Sequence, residues 1–410
     1  TIWHNMKSIN DILEQEIDCG KIIEIFGDQY PLFKQFVTTQ QDPEWHAEGN
    51  VLVHTNMVIK EAYRLTKNES SHLSNREKVI LILSACFHDY AKPLCTQYRE
   101  IKGKERVVAP NHEFRGASLL FNLDPPLDLE PADWLSVIQL TAYHHIPKLL
   151  VIKNKPKKDY FRLSRQVPSM ELIYYLEMAD MLGRTCNDKQ DQIEILELFK
   201  IEASELGIWN SDPYNEFINT IKENFPCQAD EFHQRVLEHA KIHLEEERIH
   251  MLEEEIPIAY NYMEQPHVVI LCGIAGSGKS TWANNNKTDY YHIEMDKIRD
   301  ELSKGRSNQS NNSEVLRVAH EKLKCALRER KNVLWDATNY RYDFRKRIIE
   351  TSVAYGAFTE IIVFQKPLSR LLKDNKSRKH SVPEEAINSM VLKFQMPEIG
   401  EAHKLTIMHY

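Results

Sequence analysis

Apolar positions recur along this chain at two different periods. Through the first half they fall three and four residues apart, the spacing of one helix face. Ile9, Ile12, Leu13 and Ile17 form such a stripe within residues 1–40. Pro43 and Gly49 then mark a loop, and His54 onward reads as a helix start. Lys78-Val-Ile-Leu-Ile-Leu-Ser-Ala-Cys-Phe87 has no polar face and predicts a buried helix, which Pro93 stops. Little strand alternation precedes residue 200, so residues 1–200 predict an all-α domain. Residues 201–265 stay helical, with Phe232, Val236, His239 and His243 on one stripe and an acidic amphipathic stretch over 244–255. Gly is scarce there, so the segment predicts a structured helical spacer and not a floppy linker. Beyond residue 266 short apolar runs at 267–272, 290–294, 332–336 and 359–364 alternate with helical patterns at 314–330, 342–355, 368–375 and 383–394. That alternation predicts an α/β domain over 266–410: a parallel sheet, helices on both faces, and ligand at the carboxyl ends of the strands.

The first of those runs leads directly into Gly273-Ile-Ala-Gly-Ser-Gly-Lys-Ser280, followed by Thr281-Trp-Ala. This is GxxxxGK[ST] between a strand and a helix, the context that the phosphate-cradling loop requires. Gly273, Gly276 and Gly278 let the backbone wrap phosphate oxygens, with the N–H groups of Ala275, Ser277 and Thr281 among those available at a helix N-terminus. Lys279 adds a point charge for the β- and γ-phosphates, and Ser280 a hydroxyl for Mg²⁺. An NTP with Mg²⁺ is therefore the expected cofactor of this domain.

Composition narrows the class. The chain has 410 residues, 42% hydrophobic and 27% charged, long enough for two or three domains. No apolar run approaches a membrane span, and Thr1-Ile-Trp-His-Asn has no secretory pattern. The seven cysteines (19, 86, 95, 186, 227, 272 and 325) never form CxxC, which predicts reduced thiols and a cytoplasmic protein. The net charge of −8 is uneven: from Pro266 onward 24 Lys and Arg face 17 Asp and Glu, against 28 and 43 before it. The C-terminal third is the better candidate for holding a polyanion.

His54, the His88-Asp89 doublet and Asp180 stand in the order His…His-Asp…Asp. Imidazoles and carboxylates together suit a divalent transition metal, and open coordination positions admit water and a phosphate oxygen. A lone buried His is more often a hydrogen-bonded core residue, and Asp89 alone could be a cap. The local strings carry more. His46-Ala-Glu-Gly-Asn-Val-Leu-Val-His54-Thr and His88-Asp-Tyr-Ala-Lys92-Pro resemble the HD phosphohydrolase superfamily, most of all the HD domain attached to bacterial tRNA nucleotidyltransferases. Ala47 replaces a Pro of that pattern and Asn50 an Asp, neither at a ligand position. The resemblance implies an all-helical, metal-dependent phosphoesterase. In it His54, His88, Asp89 and Asp180 hold a first ion, and His112 with one of His144 or His145 a second. Lys92 neutralises phosphate charge in the transition state and His46 touches substrate. The metal is left open among Mn²⁺, Co²⁺, Ni²⁺ and Zn²⁺.

Residues 267–400 resemble the 5′-hydroxyl polynucleotide kinases of phage and bacteria. The supporting strings are Gly-Ser-Gly-Lys-Ser-Thr-Trp at 276–282, Asp296-x-x-Arg299, Asp336-Ala-Thr-Asn339, and Lys376-Ser-Arg378 shortly before Val382-Pro383. The resemblance implies that Asp296 takes the proton of a ribose 5′-hydroxyl and that Arg299 grips the acceptor's nearest phosphodiester. Arg378, with Lys379 as its rival, braces the transferring phosphoryl group from a helical lid. Asp336 contacts Mg²⁺ through water, or the acceptor. Asp296 and Asp336 also read as a helix cap and a structural carboxylate.

Together the two halves resemble the bacterial HD-Pnk end-healing enzymes. This implies NTP- and Mg²⁺-dependent phosphorylation of 5′-OH ends, and metal-dependent removal of a 2′,3′-cyclic phosphate, a 2′-phosphate, or both. The partners would be RNA or DNA ends and a ligase acting downstream, with no membrane. Three other readings stay open: a small-molecule (nucleoside or sugar) kinase fused to a nucleotide-hydrolysing domain, a cyclic-nucleotide phosphodiesterase in the HD half, and a nucleic-acid-binding scaffold or nucleotide sensor with dead sites.

Overall fold

The computed structural model describes residues 9–302, 312–377 and 381–409. They fall into two compact units divided between Asp212 and Pro213, inside the stretch that the pattern reads as a spacer.

The first unit is helical. The helix Val51–Lys67 starts before His54, because the Asn50 side chain caps it by accepting the Val53 N–H at 3.0 Å. The helix Asn75–Phe87 opens on a capping box between Ser74 and Glu77 and is buried from Val79 to its end, which explains its missing polar face. The helix Met170–Leu182, capped by Ser169, packs against both. Gly183 makes that approach possible: a Cβ there would stand 2.7 Å from the Val58 backbone nitrogen.

One element of this unit departs from the apolar pattern. Strands β1 (Gln97–Ile101) and β2 (Lys104–Val108) pair antiparallel as a hairpin. Its two-residue turn has Lys102 at φ 54° and Gly103 at φ 75°, the positive dihedrals of the turns that match strand twist. Gln97, Tyr98, Arg99 and Glu100 are all exposed, so no apolar alternation marks the strand.

The second unit is α/β. Its strands are β3 (His267–Cys272), β4 (Tyr291–Glu294), β5 (Val333–Asp336), β6 (Phe358–Gln365) and β7 (Lys404–His409). They lie in the order β4-β5-β3-β6-β7 with every neighbouring pair parallel. Val269, Leu271, Leu334, Ile362 and Phe364 pack with Ala283 and Tyr290 as its core. The helices Tyr342–Ala354, Leu368–Lys376 and Glu384–Lys393 fall within a residue or two of the predicted segments. The helical pattern at 383–394 does not end the fold: β7 follows it and extends the sheet. The helices Phe217–Asn224 and Asp230–Glu245 belong to this unit.

Candidate active sites

In the first unit the histidines of the metal-type set sit at helix ends. His88 closes the helix Asn75–Phe87, His112 opens His112–Leu120, and His144 closes Pro131–Tyr143. Each places its Nδ1 on the carbonyl three residues back: Ala85 at 2.8 Å, Ala109 at 2.7 Å and Thr141 at 2.8 Å. For His88 and His144 this satisfies one of the carbonyls a helix end leaves without a partner. In a neutral ring this hydrogen bond puts the proton on Nδ1 and leaves Nε2 as the ligand atom.

These Nε2 atoms meet carboxylates. His54 Nε2 lies 2.9 Å from Asp180 Oδ1, 3.6 Å from Asp89 Oδ2 and 3.4 Å from His88 Nε2. His88 Nε2 is 3.2 Å from the same Asp89 oxygen. Bonds of ~2.1 Å to one ion put neighbouring ligand atoms about 3.0–3.4 Å apart, and these separations are of that size. Asp89 Oδ1 turns the other way, 3.0 Å from His112 Nε2. Ligand atoms of His112, His144 and His145 lie within 4.8 Å of one another, as do those of His54, His88 and Asp180. Both His144 and His145 therefore join His112, where the sequence left one or the other. His54, His88, Asp89, His144 and Asp180 are buried. Both oxygens of Asp89, Asp180 Oδ1, and Nε2 of His112 and His144 are buried without a well-aligned hydrogen bond. Buried polar atoms are seldom left so, and five of them divided between two adjoining clusters bridged by Asp89 fit divalent cations.

The electrostatics agree. Burial pushes the Asp89 carboxyl up, but His88 and Lys92 overcome that and hold it well below the usual range. Asp180 behaves likewise: burial raises it, and Arg184 and His54 pull it down. Burial, reinforced by His88 and His112, keeps His144 neutral, the form that binds metal. Lys92 Nζ stands 2.7 Å from Asp89 Oδ2 and donates to Gln41 Oε1 at 2.6 Å. His46 lies at the rim, its pKa lowered to about 3 by burial and by Lys92. A cavity of about 310 Å³ opens at the cluster, its lining including His46, Lys92, His112, His145 and Arg184 as well as Trp45, Val107 and Val108.

Three contributors have no role in the sequence pattern. Glu48 Oε1 lies 2.8 Å from His54 Nδ1 and 2.9 Å from His46 Nδ1, while its Oε2 accepts the Thr185 N–H at 2.8 Å. Arg184 donates to Asp180 Oδ2 at 2.6 Å, and Gln41 orients Lys92. Glu48 lies inside the string that carries the resemblance, which was its one visible signal. The Ala47 N–H donates to Thr185 O at 2.9 Å, a bond that a Pro at this position could not make.

In the second unit the phosphate loop leaves the carboxyl end of β3. Gly273, Gly276 and Gly278 have φ of 155°, 89° and 100°; a Cβ on Gly273 would stand 2.7 Å from Ser277 Oγ. Lys279 Nζ arches over the loop to the carbonyls of Gly273 and Ile274, each at 2.9 Å. Ala275 lies on the loop, and Ser280 and Thr281 stand exposed in the first turn of the helix Lys279–Asn286. Asp336 ends β5, the neighbour of β3, and Asp296 lies in the first turn of the helix Met295–Glu301 that follows β4. Both carboxylates thus sit at the carboxyl ends of adjacent strands, the same end of the sheet at which the loop leaves β3. Asp336 Oδ2 is buried without a hydrogen bond, 3.5 Å from His292 Nε2. Asp296 is about half exposed and pairs with Arg299. Lys366, just past β6, donates to Gly276 O at 3.2 Å and was not foreseen. Arg378 and Lys379 lie outside the described residues.

Residues 268–397 match the AAA domain family model. The C-terminal unit is accordingly a P-loop kinase-like domain. No curated protein matches the chain. Among solved structures, a chain of the Pnkp1/Rnl/Hen1 RNA repair complex is similar at 28% identity over 32% of this chain, with a TM-score of 0.29. The match spans less than half of that chain, 44% of its length. A putative kinase from Chloroflexus aurantiacus is 12% identical over 36% of this chain and 86% of its own, with a TM-score of 0.31. A gluconokinase from Sinorhizobium meliloti is 19% identical over 35% and 82%, with a TM-score of 0.27.

Proposed function

We propose that this chain heals both ends of a nucleic-acid break: its second unit phosphorylates a 5′-OH, and its first unit is an HD-type phosphoesterase that clears a 2′,3′-cyclic phosphate, a 2′-phosphate, or both. One observation carries this beyond a P-loop kinase. It is the buried convergence of His54, His88, Asp89 and Asp180 beside Lys92, in a unit separate from the phosphate loop.

In the kinase, the ribose 5′-oxygen attacks the γ-phosphorus, the bond to the bridging oxygen breaks, and a nucleoside diphosphate leaves. Asp296 takes the hydroxyl proton. Lys279 and the loop N–H groups hold the phosphates, Ser280 is placed to join Mg²⁺, and Arg299 grips the acceptor strand. Phosphoryl transfer asks for positioning and charge neutralisation more than for covalent help. Asp336 steadies the Mg²⁺ shell or the acceptor, and Arg378 braces the moving phosphoryl group.

In the phosphoesterase, a divalent transition ion held by His54, His88, Asp89 and Asp180, with a second at His112, His144 and His145, would supply an activated water and positive charge. Glu48 and the backbone carbonyls keep the imidazoles oriented. Lys92 balances charge on the phosphoryl oxygens as a water oxygen bonds to phosphorus and a P–O bond to the sugar breaks, once for a 2′-phosphate and twice for a 2′,3′-cyclic phosphate, each departing sugar oxygen taking up a proton. His46 lies at the rim, within reach of substrate. The product ends, 5′-phosphate and free 2′- and 3′-hydroxyls, suit a ligase.

The test is an end-group assay. RNA carrying a 5′-OH and a 2′,3′-cyclic phosphate, a 2′-phosphate or a 3′-phosphate is incubated with NTP and Mg²⁺, and with Mn²⁺, Co²⁺, Ni²⁺ or Zn²⁺ in turn. Labelled γ-phosphate should reach the 5′ end, and phosphate should leave the other. Labelling of nucleosides or sugars in preference to RNA would overturn the kinase half. Hydrolysis of 3′,5′-cyclic nucleotides alone would overturn the other.

A further inference from the structure

The phosphoesterase chemistry gives no role to Trp45, which lines the first unit's cavity and is 40% exposed. The guanidinium of Arg106 lies against its ring, 4.8 Å from the centroid. That guanidinium is already neutralised: Nη1 donates to Asp42 Oδ1 at 2.9 Å, and Nη2 pairs with Glu44. So held, Arg106 is a poor ligand for another phosphate and a good rigid backing for an indole. Asp42 also ties the loop to the hairpin. Its Oδ1 accepts the Glu44 and Trp45 N–H groups at 3.0 and 3.3 Å, and its Oδ2 the Val107 N–H at 3.3 Å. The result is a large aromatic ring fixed in position yet open to solvent, beside the apolar wall of Val107, Val108 and Pro110.

Fixed aromatic and guanidinium planes hold unpaired bases by stacking. We propose that Trp45, backed by Arg106, is the platform on which the base of the terminal nucleotide stacks while its phosphate reaches the histidine–aspartate cluster. This rests on the phosphoesterase reading. The cavity, about 310 Å³, is at the small end of ligand sites and suits one nucleotide. Every base has a π-face, so the platform is indifferent to which base it meets.

The test compares wild type, Trp45→Ala and Trp45→Phe on three substrates: RNA ending in a 2′,3′-cyclic phosphate, the same RNA with an abasic terminal ribose, and free nucleoside 2′,3′-cyclic phosphate. Trp45→Ala should raise KM roughly tenfold for both base-bearing substrates and leave the abasic one unchanged, with Trp45→Phe close to wild type. In metal-free protein, a nucleoside 2′-phosphate should quench tryptophan emission in wild type but not in Trp45→Phe. An equal effect on the abasic RNA, or no effect on any substrate, overturns the platform. Failure of wild type to release phosphate from every substrate would overturn the phosphoesterase reading, and this proposal with it.

Discussion

Asp89 Oδ1 lies 3.0 Å from His112 Nε2, and this contact makes one carboxylate common to two histidine clusters. Its other oxygen faces His88 and Lys92. The two clusters should therefore respond differently to substitution. Asp89→Ala should abolish retention of both ions after dialysis from Mn²⁺, whereas His112→Gln should weaken only one. Metal content by mass spectrometry reads this directly, and one ion retained in Asp89→Ala would refute the shared carboxylate. The kinase should not notice either change.

The reciprocal experiment uses Lys279. Its ammonium reaches over the loop in the second unit, and the histidine cluster is confined to the first. Lys279→Ala should remove 5′-phosphorylation and leave phosphate release intact, while His88→Ala should do the reverse. Loss of both activities in either variant would contradict two independent sites.

Gly183 has an ordinary φ of −74°, so its requirement is one of space. A methyl group there would stand 2.7 Å from Val58 N and 2.9 Å from its Cα. Those atoms are backbone and cannot rotate away. Overpacking of this kind costs about 1–3 kcal/mol, and here it would part the helix bearing Asp180 from the helix bearing His54. Gly183→Ala should lower the unfolding temperature and weaken metal binding together. A stable variant with unchanged metal affinity would show that the two helices yield without moving their ligands.

What could be read from the sequence was what is local. The loop glycines declare positive φ by being glycine, and the His88-Asp89 doublet announces itself at a helix end. Glu48 could not declare its part, because its role is to join His54 to Thr185, a residue 137 positions away. Arg106 and Trp45 likewise meet only through the hairpin. That hairpin escaped notice because β1 is almost wholly exposed, leaving the period-2 signal nothing to alternate. Strand β7 escaped because a parallel strand is defined by its neighbour: residues 404–409 gain their identity from pairing with 360–365 of β6.

Asp296 is paired with Arg299 one helical turn away. On the kinase reading that pair must open, Arg299 to a phosphodiester and Asp296 to a hydroxyl. Asp296→Asn removes the proton acceptor and should lower kcat roughly 10²–10⁴-fold, with little change in KM for NTP. Arg299→Ala should instead raise KM for the oligonucleotide. Steady-state kinetics on a 5′-OH oligomer separates the two, and an unaltered kcat in Asp296→Asn would make the carboxylate structural.

The second unit also carries a built-in sensitivity to acid, remote from its phosphate loop. His239 stacks on Tyr262 at 4.0 Å and meets His403 edge-on at 5.0 Å. Burial, with His403 beside it, depresses His239 to about 3; burial, with His243, depresses His403 to about 4. Both rings are neutral in the fold and titrate near 6.5 when unfolded. The unfolded chain therefore binds the extra protons, so stability is complete above about pH 6.5 and is lost as pH falls from there toward the folded values. Each tenfold difference in proton affinity between the two states is about 1.4 kcal/mol, so each ring withdraws on the order of 3 kcal/mol by about pH 4. His239→Phe keeps the stack on Tyr262, gives up the contact with Gln265, and removes one of the two titrations. Urea unfolding at neutral and acid pH should show wild type losing stability more steeply than the variant across this window. Parallel pH profiles would mean that the rings gain protons without unfolding cost.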